Sequence, residues 1–198
     1  MAFGFKRSGG EEFYPSFRFN AVSGDATING SERGSDGQFE KYEHQVDFPV
    51  KLAADFAGIE LGWIAFGLQG PSFHLVKYGE RMPAQPDKDH KQGFKLRLVH
   101  KEFGICDWAN SSRTVGDVID LLHDQFLREE KANPGKVPVI TISGTEKTMV
   151  KTQQGNKAYK KPVIKITGWV PRPELLDVKP EPVKEATLDL DDDDYDSF

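Results

Sequence analysis

Thr114-Val-Gly-Asp-Val-Ile-Asp-Leu-Leu-His-Asp-Gln-Phe126 is the stretch on which the fold turns. Val115, Val118, Ile119, Leu122 and Phe126 recur three and four positions apart, so they line one side of a helix. Thr114, with Asp117 three residues on, resembles a capping box with a shortened acid and places the helix start there. Asn133-Pro134-Gly135 stops it. This is the one clear helix, and its flanks have strand character.

Working outward, Gly93–Phe103 has the clearest two-residue period. Phe94, Leu96, Leu98 and His100 point one way; Lys95, Arg97, Val99 and Lys101 point the other. Before it come Gln45–Asp55, a strand interrupted by Pro49, and Gly58–Leu68, a bent strand whose glycines mark bulges or close backbone approach. Ser72–Tyr78 reads as a short strand and Glu80–Gln92 as a long polar loop. After the helix come the strand Lys136–Ser143, a polar loop Thr145–Lys157, and a last strand Tyr159–Val170 broken by Pro171-Arg-Pro173. Phe13–Val22 suits a strand, and Ser23–Gly37, with four glycines among Ser, Asp and Asn, has loop chemistry.

The predicted class is therefore mainly β. One helix between the third and fourth core strands is the plan of the OB-fold, a five-stranded Greek-key barrel. Periodicity alone fits other small α+β barrels equally well. Three segments are expected: an N-terminal extension with a Gly-rich loop (1–44), the barrel (45–173) and a disordered acidic tail (174–198). The extension either adds a strand to the barrel or reaches across to a second subunit of a homodimer.

Charge divides the chain the same way. From Glu174 onward there are ten acids and two lysines, a net −8, so the first 173 residues hold +3 of the chain's −5. A run that ends Asp-Asp-Asp-Asp-Tyr-Asp-Ser-Phe198 repels itself and offers little apolar surface, which makes it a solvated arm. Such an arm competes with other polyanions for basic surface. Its aspartates steer it and its terminal ring anchors it in a partner's pocket. With 29% charged residues, no apolar run of membrane length and a single cysteine, the chain is expected to be soluble, in a reducing cytoplasm.

The basic body residues alternate with apolar ones on two strands: Lys95, Arg97 and Lys101 on one, Lys161 and Lys165 on the other. Lys77, Lys151 and Lys157 add charge nearby. Residues two apart on one strand face are about 7 Å apart, which suits a phosphate backbone laid across the strands. Trp63, Phe66, Phe73, Tyr78, Trp108 and Tyr159 are interleaved as stacking platforms for unpaired bases. The plainer alternative is that exposed lysines protect strand edges and most aromatics are core.

Catalysis and cofactors are not expected. Gly144-Thr-Glu-Lys147-Thr148 lacks the glycine spacing of a phosphate-binding loop. The five histidines have no metal-ligand spacing, Cys106 has no partner, and a mobile aspartate run offers a cation no fixed geometry.

Pro162-Val-Ile-Lys-Ile-Thr-Gly-Trp-Val-Pro-Arg-Pro173 and the aspartate tail closed by Phe198 resemble the single-stranded DNA-binding proteins of tailed bacteriophages. The resemblance covers the body from about residue 45 and the tail. It implies an OB groove that coats single-stranded DNA without sequence choice in phage replication, recombination and repair, inside the bacterial host. It also implies that Asp191, Asp192, Asp193, Asp194, Asp196 and Phe198 form a motif that covers the groove and recruits polymerase and helicase-primase. The groove residues do not transfer by motif and rest on the strand faces above. Two other readings are an acidic-tailed adaptor or chaperone, favoured by the modest body charge, and an RNA-binding OB protein.

Overall fold

The predicted apolar stripe is the lid of the core. α1 (Arg113–Glu129) buries Val115, Val118, Ile119, Leu122 and Phe126, and adds His123 to the buried side. Its N-cap is Ser112 rather than Thr114, and Ser112 makes no side-chain cap bond. The Ser112 N–H donates to Asn110 Oδ1 at 2.7 Å, and the Ser112 and Thr114 hydroxyls bond each other at 2.9 Å. These bonds hold Ser112 extended and start the helix earlier, so no capping box forms.

The structure is a computed structural model that describes residues 14–33, 38–67, 70–152 and 155–177. They belong to one compact unit, Tyr14–Val178. The architecture is mainly β, with one α-helix among the described residues. The strands are β1 (Ser16–Phe19), β2 (Ala26–Arg33), β3 (Phe39–Val46), β4 (Val50–Ala54), β5 (Glu60–Gly67), β6 (Gly70–Lys77), β7 (Lys91–His100), β8 (Gly104–Asn110), β9 (Lys136–Thr152) and β10 (Gly155–Pro171). The helix lies between β8 and β9.

The strands pair in the order β10-β9-β4-β7-β8-β1-β2-β3, with β5 also on β7 and β6 on β5. This is an open mixed sheet, where the sequence predicted a closed five-stranded barrel. β1 runs parallel to β8 through Ser16↔Asp107 and Phe17↔Trp108, and so takes the β8 edge that a closing β10 would need. The β1–β2 turn nevertheless returns to β10, where the Lys160 N–H donates to the Ala21 carbonyl at 2.7 Å. Gly24 (φ 84°) makes that approach possible, since a Cβ there would press on the Lys160 side chain.

Other expectations changed. Residues 26–33, read as loop, are β2, because their backbone pairs along its whole length with β3. The predicted loop Thr145–Lys157 is mostly strand, since β9 and β10 stay paired from Lys136↔Pro171 out to Thr152↔Gly155. Cross-strand bonding supplies what the polar composition hid. Residues 104–110, unassigned by periodicity, are β8, with Cys106 and Trp108 facing inward and fully buried. Pro49, cis to Phe48, divides the predicted strand 45–55 into the end of β3 and β4.

The core runs from Phe17, Phe19, Ala26 and Ile28 through Leu96, Leu98 and Trp108 to the helix stripe, Ile140, Ile142 and Ile164. Arg172, just past β10, grips Asp55, just past β4, with both oxygens engaged at 2.8 and 2.9 Å. Asp55 is buried and also caps the short turn Phe56–Gly58.

Candidate nucleic-acid interface

The outward face of β7 carries Lys95 and Arg97, as their alternation with Phe94, Leu96 and Leu98 requires. Both are paired to one acid of β8. Asp107 stands 3.1 Å from Lys95 Nζ and 3.1 Å from Arg97 Nε. The pair therefore presents a net single positive charge. Lys95 also lies 5.8 Å from the Phe73 ring centroid, and Arg97 lies 4.3 Å from that of Tyr14. Lys101 does not share this face, because β7 ends at His100 and Lys101 sits exposed in the turn to β8.

The strongest positive feature is the distal half of β9–β10. β4 holds β9 only over Val139–Ile142; beyond that the two long strands pair with each other. Residues 145–162 contain five lysines and one acid, Glu146, a net +4. The register sorts them. Lys157, Tyr159 and Lys161 share one face of this arm with Glu146, Thr148 and Val150. Lys147 and Lys151 share the other with Lys160 and the exposed Met149. Lys151 is thus separated from the other predicted cations. Lys161 pairs with Glu146 at 3.8 Å, while Lys165 is exposed further down the same face. That face continues from Lys165 through Thr141 to Lys51, and from Ala53 to Val99, two residues from Arg97. Lys51 and Lys160 escaped the sequence reading; the first stands alone on a short strand, and the second lies out of phase with Lys157, Lys161 and Lys165.

The aromatic residues gather elsewhere. Between Glu60 and Lys77 the β5–β6 hairpin has no charged residue. Phe66 near its end is 62% exposed, Phe73 is half-buried, and the Trp63 indole N–H donates to the Pro83 carbonyl at 2.8 Å. Gly62 lets the hairpin strands approach, since a Cβ there would collide with the His74 carbonyl. Lys77 and Tyr78 are exposed at its foot, and Tyr78 meets the buried His123 edge-on with centroids 4.2 Å apart. Tyr159 is half-buried on the basic arm. Trp108 is a correction: it is fully buried between Phe17 and Phe94, at centroid distances of 5.2 and 5.5 Å, and cannot stack on a base. The inward phase of β8 decides this.

The two hairpins are attached to opposite halves of β7. β5 pairs with Lys91–Lys95, whereas β4, the carrier of β9–β10, pairs with Leu98–His100. Beside α1 lies a cleft of about 710 Å³ with an apolar floor of Ile59, Leu61, Phe94 and Ile119. Its rim balances Lys91 and Arg113 against Asp117 and Asp120, so it adds no net charge to the face. Burial lowers the pKa of His123 in its wall. Burial likewise pushes the Cys106 thiol up to about 12, which leaves no reactive thiolate at neutral pH.

No group of three or more candidate metal ligands occurs among the described residues, and no helix there is long and apolar enough to cross a membrane. The tail residues Asp191–Asp194, Asp196 and Phe198, and the N-terminal arm of residues 1–13, lie outside the described residues. No protein-family model, curated protein or solved structure matches the chain.

Proposed function

We propose that this chain is a non-enzymatic, sequence-independent single-stranded DNA-binding protein serving phage replication, recombination and repair. One observation carries the reading: a charge-poor aromatic hairpin and a lysine-bearing arm are held at the two ends of one strand that itself carries Lys95 and Arg97. Unpaired strands expose both stackable bases and phosphates, so a surface offering each separately suits them, whereas a duplex hides its base faces. The order β4/β5, β7, β8, helix, β9, β10, with β9 returning to β4, supports an OB-derived plan in which β1 substitutes for the closing strand.

The test is titration of an unstructured oligothymidine across a salt series. Contact with about four or five phosphates gives a slope of log affinity on log salt near −3. An RNA oligomer of equal length, run as competitor, decides sugar preference. Removing residues 189–198 should tighten binding if the acidic run competes for the basic surface; unchanged affinity would discard that part of the proposal. Recruitment of polymerase or helicase-primase by the same run is read by pull-down with and without it.

The pairing of Asp107 with Lys95 and Arg97 favours a second reading, a protein-interaction module, because it lowers the charge of the central strand. Under that reading the folded protein fails to shift the oligomer even at low salt.

A further inference from the structure

The segment between β6 and β7, residues 78–90, is tied back onto the aromatic hairpin. The Trp63 indole N–H donates to the Pro83 carbonyl at 2.8 Å, and within the segment Gln85 Nε2 donates to the His90 carbonyl at 2.8 Å. His90 itself is 7% exposed, one of the few buried polar side chains among the described residues. Its Nδ1 lies 2.8 Å from Asp87 Oδ1, and its Nε2 lies 3.1 Å from Ser72 Oγ on β6. The His74 ring meets it edge-on at 5.2 Å.

The chemistry fixes the donor at the Asp87 end of this chain of bonds. Asp87 Oδ1 also accepts the backbone N–H groups of Asp89 and His90, at 2.8 and 3.1 Å. Those donors, the His90 ring first, hold the Asp87 carboxyl below its ordinary pKa, so it is an ionised acceptor at neutral pH. An ionised carboxylate can only accept, so Nδ1 is the donor to Asp87, and Nε2 faces the Ser72 hydroxyl, which can serve as donor or acceptor. A serine, a histidine and an aspartate joined this way also occur in hydrolases. Here Ser72 lines neither the cleft beside α1 nor the smaller one beside Arg172, and what the bonds visibly do is join β6 to the turn that follows it.

We infer that His90 is a positioning residue: by bridging Ser72 of β6 to Asp87 of the following turn, it fixes the pose of the β5–β6 hairpin and of its aromatics. The inference rests on the nucleic-acid reading above and names what prepares its stacking half. Among the described residues β6 pairs only with β5, and beyond Ile64 β5 pairs only with β6, so the outer part of the hairpin, where Ser72 and Phe66 lie, is two-stranded and marginal by itself. A hairpin held in place before the strand arrives loses less freedom on binding, so stacking on Trp63 and Phe66 is retained as affinity.

Two readouts test this on the full chain with His90→Gln and, as the milder change, Ser72→Ala. The first needs no ligand. Amide hydrogen exchange across Glu60–Lys77 should quicken by about tenfold or more, while Lys136–Ile142 keeps its protection. The second compares an oligothymidine with an abasic oligomer of the same length, which keeps the phosphates and lacks the bases. Wild type should prefer the oligothymidine by about fivefold or more, the value of one stacked base. His90→Gln should shrink that preference without altering the salt slope. Unchanged exchange in both variants overturns the inference, as does a base preference that survives in His90→Gln. If His90→Gln does not fold, Ser72→Ala decides alone. If wild type binds neither oligomer, the nucleic-acid reading fails, and the exchange experiment still decides whether His90 holds the hairpin.

Discussion

The β5–β6 hairpin and the distal β9–β10 arm have the same backbone form and opposite chemistry. The first holds Trp63, Phe66 and Phe73 with no charge between Glu60 and Lys77; the second holds five lysines and, of the aromatics, only Tyr159. Their support differs too. The aromatic hairpin is tied back by the segment after it through Pro83, Ser72 and His90, whereas the arm past β4 has its own pairing and one bond from the Lys160 N–H to the Ala21 carbonyl of the β1–β2 turn. Self-repelling lysines on a two-stranded ribbon weaken it, yet they keep its open edges from pairing with other chains. Positive charge thus sits on one hairpin and aromatic surface on the other, and under the proposed function attraction and stacking would be separable.

The largest effect should come from the arm. Changing Lys157, Lys161 and Lys165 together to Gln should cost about 100-fold in oligothymidine affinity at low salt and flatten the salt slope by about 2, at roughly 0.7 per phosphate lost. The matching triple change on the opposite face, Lys147, Lys151 and Lys160, should cost clearly less in an anisotropy titration. Equal losses would mean that the strand does not follow the face joined to Arg97.

The far end of β10 comes next. Arg172→Ala strands the buried Asp55 carboxylate, and denaturant melts should record a loss of about 2–3 kcal/mol. Arg172→Lys should recover only part of it, because an ammonium lacks the planar fork that meets both oxygens with parallel bonds. Recovery in full would show that charge alone, not the two-pronged geometry, fastens β10 to β4.

Phe66→Ala should lower oligothymidine affinity by about 1–2 kcal/mol, leaving the salt slope and the thermal midpoint near wild type, since the ring is 62% exposed. A change in slope would blur the division between the hairpins. Asp107→Asn works in the opposite direction. It frees Lys95 and Arg97, so binding should tighten and the slope steepen by about 1.

The smallest effect is one of pH. Burial lowers the His123 and His100 pKa values, so between those values and about 6.5 the unfolded chain holds more protons than the folded one. Their contribution to stability is present at pH 7 and is lost as pH falls through that window. Melts from pH 7 to pH 5 should show the decline, and His123→Phe, which suits the Phe56 and Phe126 rings around it, should flatten part of it.

How much was legible follows from where each signal resides. The helix stripe and the β7 alternation are local periodicities; the first appears at the expected residues and the second holds from Gly93 to His100, with Lys101 falling in the turn. The arm was hidden because Thr, Lys, Gln and Gly between 145 and 157 read as loop until a partner strand supplies their hydrogen bonds. β8 was hidden because Gly-Ile-Cys-Asp-Trp-Ala-Asn is too short and mixed for its period to show. Trp108 as a stacking platform failed for the same reason: without the phase of β8, its inward direction is unknowable. Asp107 was missed as the partner of two candidate cations because only cross-strand register sets Arg97 opposite it.

By itself the amino-acid order determined a mainly β chain with one amphipathic helix, a basic body and an acidic end, because period and net charge are properties of neighbours and sums. Only the tertiary structure decided which lysines keep their charge unshared, which aromatics reach solvent, and that His90 joins Ser72 to Asp87. Neutralisation, burial and hydrogen bonding depend on distances of a few ångströms between residues far apart in the chain, and those distances exist only once the strands have paired.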